Sequence, residues 1–224
     1  MSSLAQQITA AGLANHVLSE RQLARLLGGG DARRYGLVNR ALKDGSLLRV
    51  KRGTYVLGQG YRSEAVHPFV LAQSLVPGSY ISFESALVYH GWIPEAVFTT
   101  ASVSPGRKTL HYETSGFGTF GFHPLATVDY RFLTAVDRVE MGMLTAFVAQ
   151  PLRALMDLVA LRKESWSNMD WLIHGMRIDE VELAALGRKD FAKLKSVYKH
   201  KAANAFLAAF EDAVTMDRKA SSHD

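Results

Sequence analysis

The sequence predicts an α+β protein, in which an N-terminal winged helix-turn-helix precedes a mixed, strand-rich and then helical C-terminal domain. Three observations predict this order. Basic residues are concentrated in the first quarter of the chain, a hairpin pattern over residues 47–57 follows helix signals separated by glycines, and helical periodicity dominates only after Pro151. We therefore expect the winged helix at residues 1–62, the C-terminal domain at residues 63–214 and a flexible tail at residues 215–224.

The composition of the 224 residues is that of a globular protein, with 48% hydrophobic and 21% charged residues. The absence of cysteine excludes disulfide bonds, thiolate zinc sites and cysteine nucleophiles. No apolar run approaches the roughly 18 residues that a membrane span needs, and the first residues lack the basic and apolar regions of a signal peptide. We therefore expect a cytoplasmic protein with no membrane partner.

The positive charge of the chain is confined to its N-terminal part. Residues 1–62 hold 10 Lys and Arg against 3 Asp and Glu, whereas the remainder holds 16 against 18, so the net charge of +5 originates in the first module. A compact basic module on a nearly neutral body favours binding to a polyanion. A solvated basic face without a partner is the alternative that charge alone leaves open.

The first two helices are predicted from the signals at their ends. Residues 3–13 indicate a short helix. Ser19 and Gln22 form a capping box for the second helix, in which each side chain bonds the backbone N–H of the other residue. Residues 28–30 are all glycine and end this helix, because glycine adopts the left-handed conformation at little cost.

The third helix, predicted from a cap at Asp31 to about Asp44, carries much of the positive charge. At about 100° per residue, its side chains divide into two opposite faces. Tyr35, Val38 and Leu42 fall together on one side, and Arg33, Leu37, Arg40 and Asp44 fall on the opposite side. Gly36 weakens the helix by about 1 kcal/mol relative to alanine.

Residues 47–57 have the alternation of a β-hairpin, with Lys51 and Arg52 close to its tip. Helices with a short turn followed by a basic hairpin are the pattern of a winged helix, whose third helix fits the major groove while the wing contacts phosphates. The predicted DNA contacts are Arg33, Arg34, Asn39, Arg40 and Lys43 on the third helix, and Lys51 and Arg52 on the wing. A protein interface on the same face is the alternative.

The C-terminal domain is predicted to open with strands and to continue with helices. Strands are expected at the start of residues 80–97, at 97–104, in two segments of 108–125, and at 130–136 and 139–148. Helices are expected from Ser82 to Gly91, from Pro151 onward, and at 167–176, 179–186 and 188–214. In the Pro151 helix, Arg153 and Asp157 form an i, i+4 pair worth a few tenths of a kcal/mol.

Three blocks of sequence together resemble the AbiEi family, the antitoxins of type IV abortive-infection toxin–antitoxin systems. The blocks are VKRGTYVL at residues 50–57, ISFESALVYHGWIPE at 81–95 and AQPLRALMDLVA at 149–160. Their order and spacing carry the resemblance, which extends over nearly the whole chain. It implies phage defence, with a winged helix that represses the promoter of its own operon.

The resemblance also implies a functional partner, a nucleotidyltransferase-like toxin, which the C-terminal domain counters without forming a stable complex. The expected ligand is double-stranded DNA of the promoter, with inverted repeats because paired copies read a longer site. The resemblance implies no catalytic residues and no cofactor, so we expect a protein that is not an enzyme.

Other functions rest on scattered polar residues of the C-terminal domain. A nuclease or nucleotide-modifying enzyme would need a cluster of carboxylates with a divalent metal. Its candidates are Glu84, Glu95, Asp129, Asp137 and Glu140. His111 and His123 could face each other across a hairpin, but two ligands do not make a zinc site, so no metal is expected. A solo transcription factor with a ligand-sensing body is a third possibility, and it would need a buried polar pocket.

Overall fold

The computed structural model describes the backbone of residues 3–221 and the side chains of residues 3–216. It has the predicted α+β fold, with N-terminal helices, a central strand-rich region and C-terminal helices. The chain forms two compact units. The first extends to Pro77 and also holds Glu113–Gly118 and Glu140–Ala146, and the second holds Gly78–Tyr112, Thr119–Val139 and the chain from Phe147 onward.

The first unit contains the winged helix. Its elements are α1 (Leu4–Ala10), β1 (Leu18–Ser19), α2 (Glu20–Leu27), α3 (Asp31–Lys43), β2 (Leu47–Lys51), β3 (Thr54–Leu57) and α4 (Pro68–Leu75). The three strands form an antiparallel sheet of order β1-β3-β2. Apolar residues of α1, α2, α3 and the sheet enclose one core. The predicted fold of this module is therefore confirmed.

The local signals around α2 determine where this helix begins and ends. The Ser19 hydroxyl accepts from the Gln22 N–H at 3.2 Å, and the Gln22 side chain accepts from the Ser19 N–H at 2.8 Å. Leu23 is buried against the core. Gly28, with φ of 57°, ends the helix in the left-handed region. The predicted capping box and glycine stop are confirmed.

The buried face of α3 agrees only in part with the two sides of the helical wheel. On the apolar side, Val38 and Leu42 pack against the core, whereas Tyr35 is 70% exposed. Leu37, on the opposite side, also packs against the core, and the buried sector is centred on Ala41. Both sides of the wheel carry apolar residues, so contact with the remaining elements determines which of them are buried. Asp31 is the first helical residue, and Gly30 occupies the N-cap position.

The end of the wing lies against the end of α3. Gly58, just after β3, donates its N–H to the Ser46 carbonyl at 2.9 Å. A Cβ built on Gly58 would lie 2.3 Å from the carbonyl oxygen of Gly45, so only glycine fits there. Gly45 itself has φ of 75°, in the left-handed region that favours glycine. Two glycines therefore permit a direct approach of backbone to backbone.

The rest of the chain forms a six-stranded sheet and several helices. Most of these residues belong to the second unit, whereas the ends of four strands, within Glu113–Gly118 and Glu140–Ala146, belong to the first. The strands are β4 (Tyr80–Ile81), β5 (Thr99–Ser104), β6 (Leu110–Thr114), β7 (Gly118–Pro124), β8 (Val136–Met141) and β9 (Leu144–Ala149). Their order is β6-β7-β5-β4-β9-β8, with β5 antiparallel to β4 and parallel to β7. The helices are α5 (Phe83–Tyr89), α6 (Pro151–Arg162), α7 (Glu180–Ala185), α8 (Arg188–Leu194) and α9 (Lys201–Ser221).

Several predicted elements of this part were wrong. The strand expected at 130–136 is a 3-10 turn at Asp129–Arg131, and the strand expected at 139–148 is the hairpin of β8 and β9. The helix expected at 167–176 is a π-helical turn, Trp171–Gly175. The helix expected at 188–214 is interrupted between α8 and α9, where Ser196 has φ of 66°. No glycine or proline marks this interruption in the sequence.

Helix α9 continues to Ser221, past residue 215 where the sequence analysis began a flexible tail, and residues 222–224 lie outside the described residues. Across residues 3–221, no helix combines the length and the apolar character needed to cross a membrane.

A buried ion pair lies at the centre of the second unit. Arg153 and Asp157 of α6 have side chains that are 0% exposed, and the Arg153 Nε donates to the Asp157 carboxylate at 2.8 Å. The same carboxylate accepts from the hydroxyls of Tyr80 at 2.9 Å, Ser82 at 2.7 Å and Tyr198 at 2.7 Å. The small energy predicted for this pair, that of an exposed pair, is wrong, because both side chains are buried.

The remaining donors of Arg153 are also bonded. Its terminal nitrogens donate to the carbonyls of Thr134 at 2.9 Å and Phe132 at 3.3 Å, and to the Tyr80 hydroxyl at 2.5 Å. Burial, and next the negative charge of Asp157, raise the pKa of both Tyr80 and Tyr198. Every side chain of this network therefore has hydrogen-bond partners, which is what buried charge requires.

Candidate nucleic-acid interface

The exposed cations of the winged helix lie on α2, α3 and the hairpin. They are Arg21 and Arg25 on α2, Arg33, Arg40 and Lys43 on α3, Arg49 on β2, and Arg52 in the turn between β2 and β3. Because these side chains are solvent-exposed, their charge is available to an anionic partner. The cations that carry the net charge of the module therefore occupy its surface.

The outer face of α3 combines small and polar residues. Ala32, Gly36, Asn39 and Lys43 are all exposed on this face. A Cβ built on Gly36 would meet nothing within 4 Å, so the helix backbone is open to close approach at this position. Arg40 lies on one side of this face and Tyr35 on the other, by the helical geometry. A flat helix face with polar edges suits contact with another surface.

Arg34, predicted to contact DNA, is engaged within its own turn. Its guanidinium donates to the Gly29 carbonyl at 2.6 Å and pairs with the Asp31 carboxylate. The Arg34 side chain is 28% exposed. These contacts connect the glycine turn to the first turn of α3, so Arg34 stabilises the angle between α2 and α3.

The two predicted cations of the wing differ in environment. Lys51 is half-buried, and its ammonium donates to the Leu75 carbonyl of α4 at 2.6 Å. Burial lowers the pKa of Lys51. Arg52 is exposed in the hairpin turn beside Gly53, whose φ of 78° is that of a left-handed turn residue. Arg52 thus remains at the surface, whereas Lys51 is directed toward α4.

A groove runs between α3 and β2. One part has a volume of about 320 Å³ and includes Glu20, Asp31, Arg34 and Tyr35 in its lining. The neighbouring part is lined by Asn39, Leu42, Lys43, Leu47, Leu48 and Arg49, which include two cations and no carboxylate. Asn39 and Arg49 line both parts. One end of the groove is therefore positive, and the other contains charges of both signs.

The carboxylates considered for a nuclease site bond to different partners. Glu84 pairs with Arg162, and Glu95 pairs with Arg177 at 2.5 Å. Asp129 pairs with Lys199 at 3.2 Å, and Asp137 accepts from the Gln150 amide at 3.0 Å. The fifth, Glu140, belongs to the first unit. Within residues 3–221, no three histidine or acidic side chains are grouped so as to hold a metal ion.

The two histidines of the predicted hairpin lie on neighbouring strands. His111 is on β6 and His123 is on β7, which are adjacent in the sheet. Burial lowers the pKa of His123; the charge of Glu84 opposes this, and the proximity of His111 adds a smaller lowering. The His123 ring packs edge-on against Phe83, with ring centroids 5.6 Å apart. These contacts are those of a histidine packed within a sheet.

The elements described above define an α+β protein with an N-terminal winged helix. The Rv2827c protein from Mycobacterium tuberculosis has a similar solved structure, with a TM-score of 0.55 over 94% of this chain and 77% of that chain. The two sequences are 15% identical, so the likeness shows a shared fold. No protein-family model and no curated protein matches the chain.

Proposed function

We propose that this protein is a DNA-binding repressor of its own promoter and the antitoxin of a type IV toxin–antitoxin system. The observation that supports DNA binding is the exposed outer face of α3 with its cations, together with the exposed Arg52 in the hairpin turn. The antitoxin role rests on the resemblance to the AbiEi family. The proposal includes a cytoplasmic location and a protein without catalytic activity.

In the proposed complex, α3 enters the major groove of the promoter. The major groove of DNA admits one helix, and the open backbone at Gly36 lets α3 approach the bases closely. Arginine forks of Arg33 and Arg40 suit guanine edges, and the Asn39 amide suits adenine. Lys43 and Arg52 neutralise phosphates and supply affinity that weakens as salt rises. Arg34 and Lys51, which bond to the protein itself, have structural roles in this scheme.

The proposed operator contains inverted repeats, because two copies of the chain read twice the length of one. The functional partner is a nucleotidyltransferase-like toxin, which the C-terminal part opposes without a stable complex. These two activities belong to different parts of the chain, so substitutions on α3 should affect repression alone.

The test of DNA binding is a fluorescence-anisotropy titration with a duplex of the chain's own promoter region. Arg33→Ala combined with Arg40→Ala should abolish specific binding. The matched control is Arg188→Ala with Lys189→Ala, which removes the same charge from exposed positions of α8. Circular dichroism should show that both double variants are folded. Binding by the α3 variant at the wild-type level would overturn the assignment of α3.

The test of the antitoxin role is co-expression with a nucleotidyltransferase-like protein encoded beside the gene. The full chain should restore growth of cells that express this protein. The variant with Arg33→Ala and Arg40→Ala should restore growth equally when its own expression is driven by an unrelated promoter. Loss of growth with the wild-type chain present would contradict the antitoxin role and leave the DNA-binding proposal standing.

A further inference from the structure

We propose that Arg49 of β2, rather than Lys51, contacts the DNA phosphate beside the wing. This inference rests on the proposed DNA binding and identifies a residue that strand alternation alone would not distinguish. Both cations belong to the same short strand, and in a regular strand residues two apart point to the same side. The structure separates them, because the strand contains a β-bulge.

The bulge is visible in the pairing of β2 with β3. Arg49 lies opposite Tyr55, whereas Lys51 lies opposite Thr54, so Val50 is an extra residue in β2. Tyr55 and Thr54 are consecutive in β3 and therefore point to opposite faces of the sheet. Arg49 and Lys51 consequently also point to opposite faces.

Each cation meets a different environment on its face. The Lys51 ammonium bonds to the Leu75 carbonyl at 2.6 Å. Arg49 is exposed, and its guanidinium carbon lies 6.0 Å from the centroid of the buried Tyr55 ring. A cation–π contact at this distance leaves the guanidinium N–H groups available to a ligand. Arg49 therefore lies near the Tyr55 ring and lines the groove beside α3.

The charges around the groove favour a phosphate at one end. Lys43 and Arg49 both line the part of the groove that has no carboxylate in its lining. Toward the other part lie Glu20 and Asp31, which would repel a phosphate, together with Arg34, which is already paired with Asp31. A DNA backbone over the Lys43 end meets two cations, and the adjacent Asn39 then lies closest to the bases.

The experiment measures the salt dependence of binding to a fluorescein-labelled duplex of mixed sequence. The logarithm of the binding constant falls linearly with the logarithm of the salt concentration. Each phosphate contact that is removed makes this slope shallower by about 0.9. Arg49→Ala should show this decrease, and Arg49→Lys, which keeps the charge, should regain most of it. Lys51→Ala should retain the wild-type slope. Thermal denaturation should establish that each variant is folded under the binding conditions.

The possible outcomes separate this inference from the proposed function. A wild-type slope for Arg49→Ala would overturn the inference, and a decrease for Lys51→Ala alone would assign the contact to Lys51 instead. Both outcomes leave DNA binding intact. Failure of the wild-type protein to bind any duplex at low salt would overturn the proposed DNA binding itself, together with the role of Arg49.

Discussion

The two units of this chain contain ion pairs with almost the same sequence signature and opposite environments. In the first unit, Asp31 and Arg34 are three residues apart, and the Asp31 side chain is 92% exposed. In the second unit, Arg153 and Asp157 are four residues apart, and both side chains are 0% exposed. A helical spacing that brings opposite charges together therefore does not determine what the pair contributes.

The difference is one of solvation. Water and salt screen the exposed pair, so it stabilises the fold by about 1 kcal/mol at most. The buried pair has lost its water, and protein donors and acceptors replace it on every side. Removal of one member leaves the other charged and desolvated, which costs about 3–5 kcal/mol. The Asp31–Arg34 pair of the first unit thus remains accessible to water, whereas the Arg153–Asp157 pair of the second unit is the centre of a buried hydrogen-bond network.

The largest effect is expected for Asp157→Ala. This substitution leaves the buried Arg153 guanidinium without its carboxylate and removes the acceptor of three hydroxyls. The free energy of unfolding should decrease by about 3–5 kcal/mol. Urea denaturation followed by circular dichroism measures it. A loss below about 1 kcal/mol would show that the pair behaves as a solvated one.

The second effect is a loss of stability at alkaline pH. Burial raises the pKa of Tyr80 and Tyr198 in the folded protein, whereas in the unfolded chain both phenols ionise near pH 10. Above about pH 10 the two phenols therefore hold fewer protons in the unfolded chain than in the folded protein. Their contribution leaves the free energy of unfolding unchanged below about pH 10 and decreases it above. Each such tyrosine contributes up to about 1.4 kcal/mol per pH unit.

Urea denaturation at a series of pH values measures this decrease. Tyr198→Phe should make the decrease with pH shallower, because one of the two phenols is gone. Tyr130→Phe, at a ring that is 85% exposed, is the control and should leave the profile unchanged. The same profile for the wild type and Tyr198→Phe would contradict the role of the buried phenol.

The smallest effect is expected for Asp31→Ala. The substitution removes an exposed carboxylate whose side-chain partner is Arg34. Arg34 retains the Gly29 carbonyl as an acceptor. The free energy of unfolding should change by less than about 1 kcal/mol, and less still in high salt. Urea denaturation at two ionic strengths tests this. A decrease as large as that for Asp157→Ala would remove the distinction between the two pairs.

The sequence predicted most reliably the elements whose signals are local. The capping box of Ser19 and Gln22 needs only four consecutive residues, and it is formed as expected. The winged-helix order follows from such signals in succession. The exposure of Tyr35 and the burial of Leu37 did not follow from the helical wheel, because they depend on α1 and the sheet, which are distant in sequence. The exposed face of α3 was therefore not predictable from the sequence alone.

The buried pair of α6 did have a signal in the sequence. Helical spacing predicts one apolar stripe of Leu152, Leu155, Met156, Val159 and Ala160, yet Ala154 and Leu158 make the other sides of the helix apolar as well. A helix that is apolar all round is buried, and charges on it are buried with it. The bulge at Val50, by contrast, has no glycine to mark it, so the opposite directions of Arg49 and Lys51 were not predictable from alternation.

The backbone contact between Gly58 and Gly45 has a consequence for how the first unit would adapt to a duplex. The carbonyl oxygen of Gly45 lies against the Cα of Gly58, so no side chain separates the end of α3 from the hairpin at this point. The helix and the hairpin therefore meet through backbone alone at this point. In the proposed complex, a duplex that does not fit this arrangement would have to deform, which favours operators with easily bent base steps.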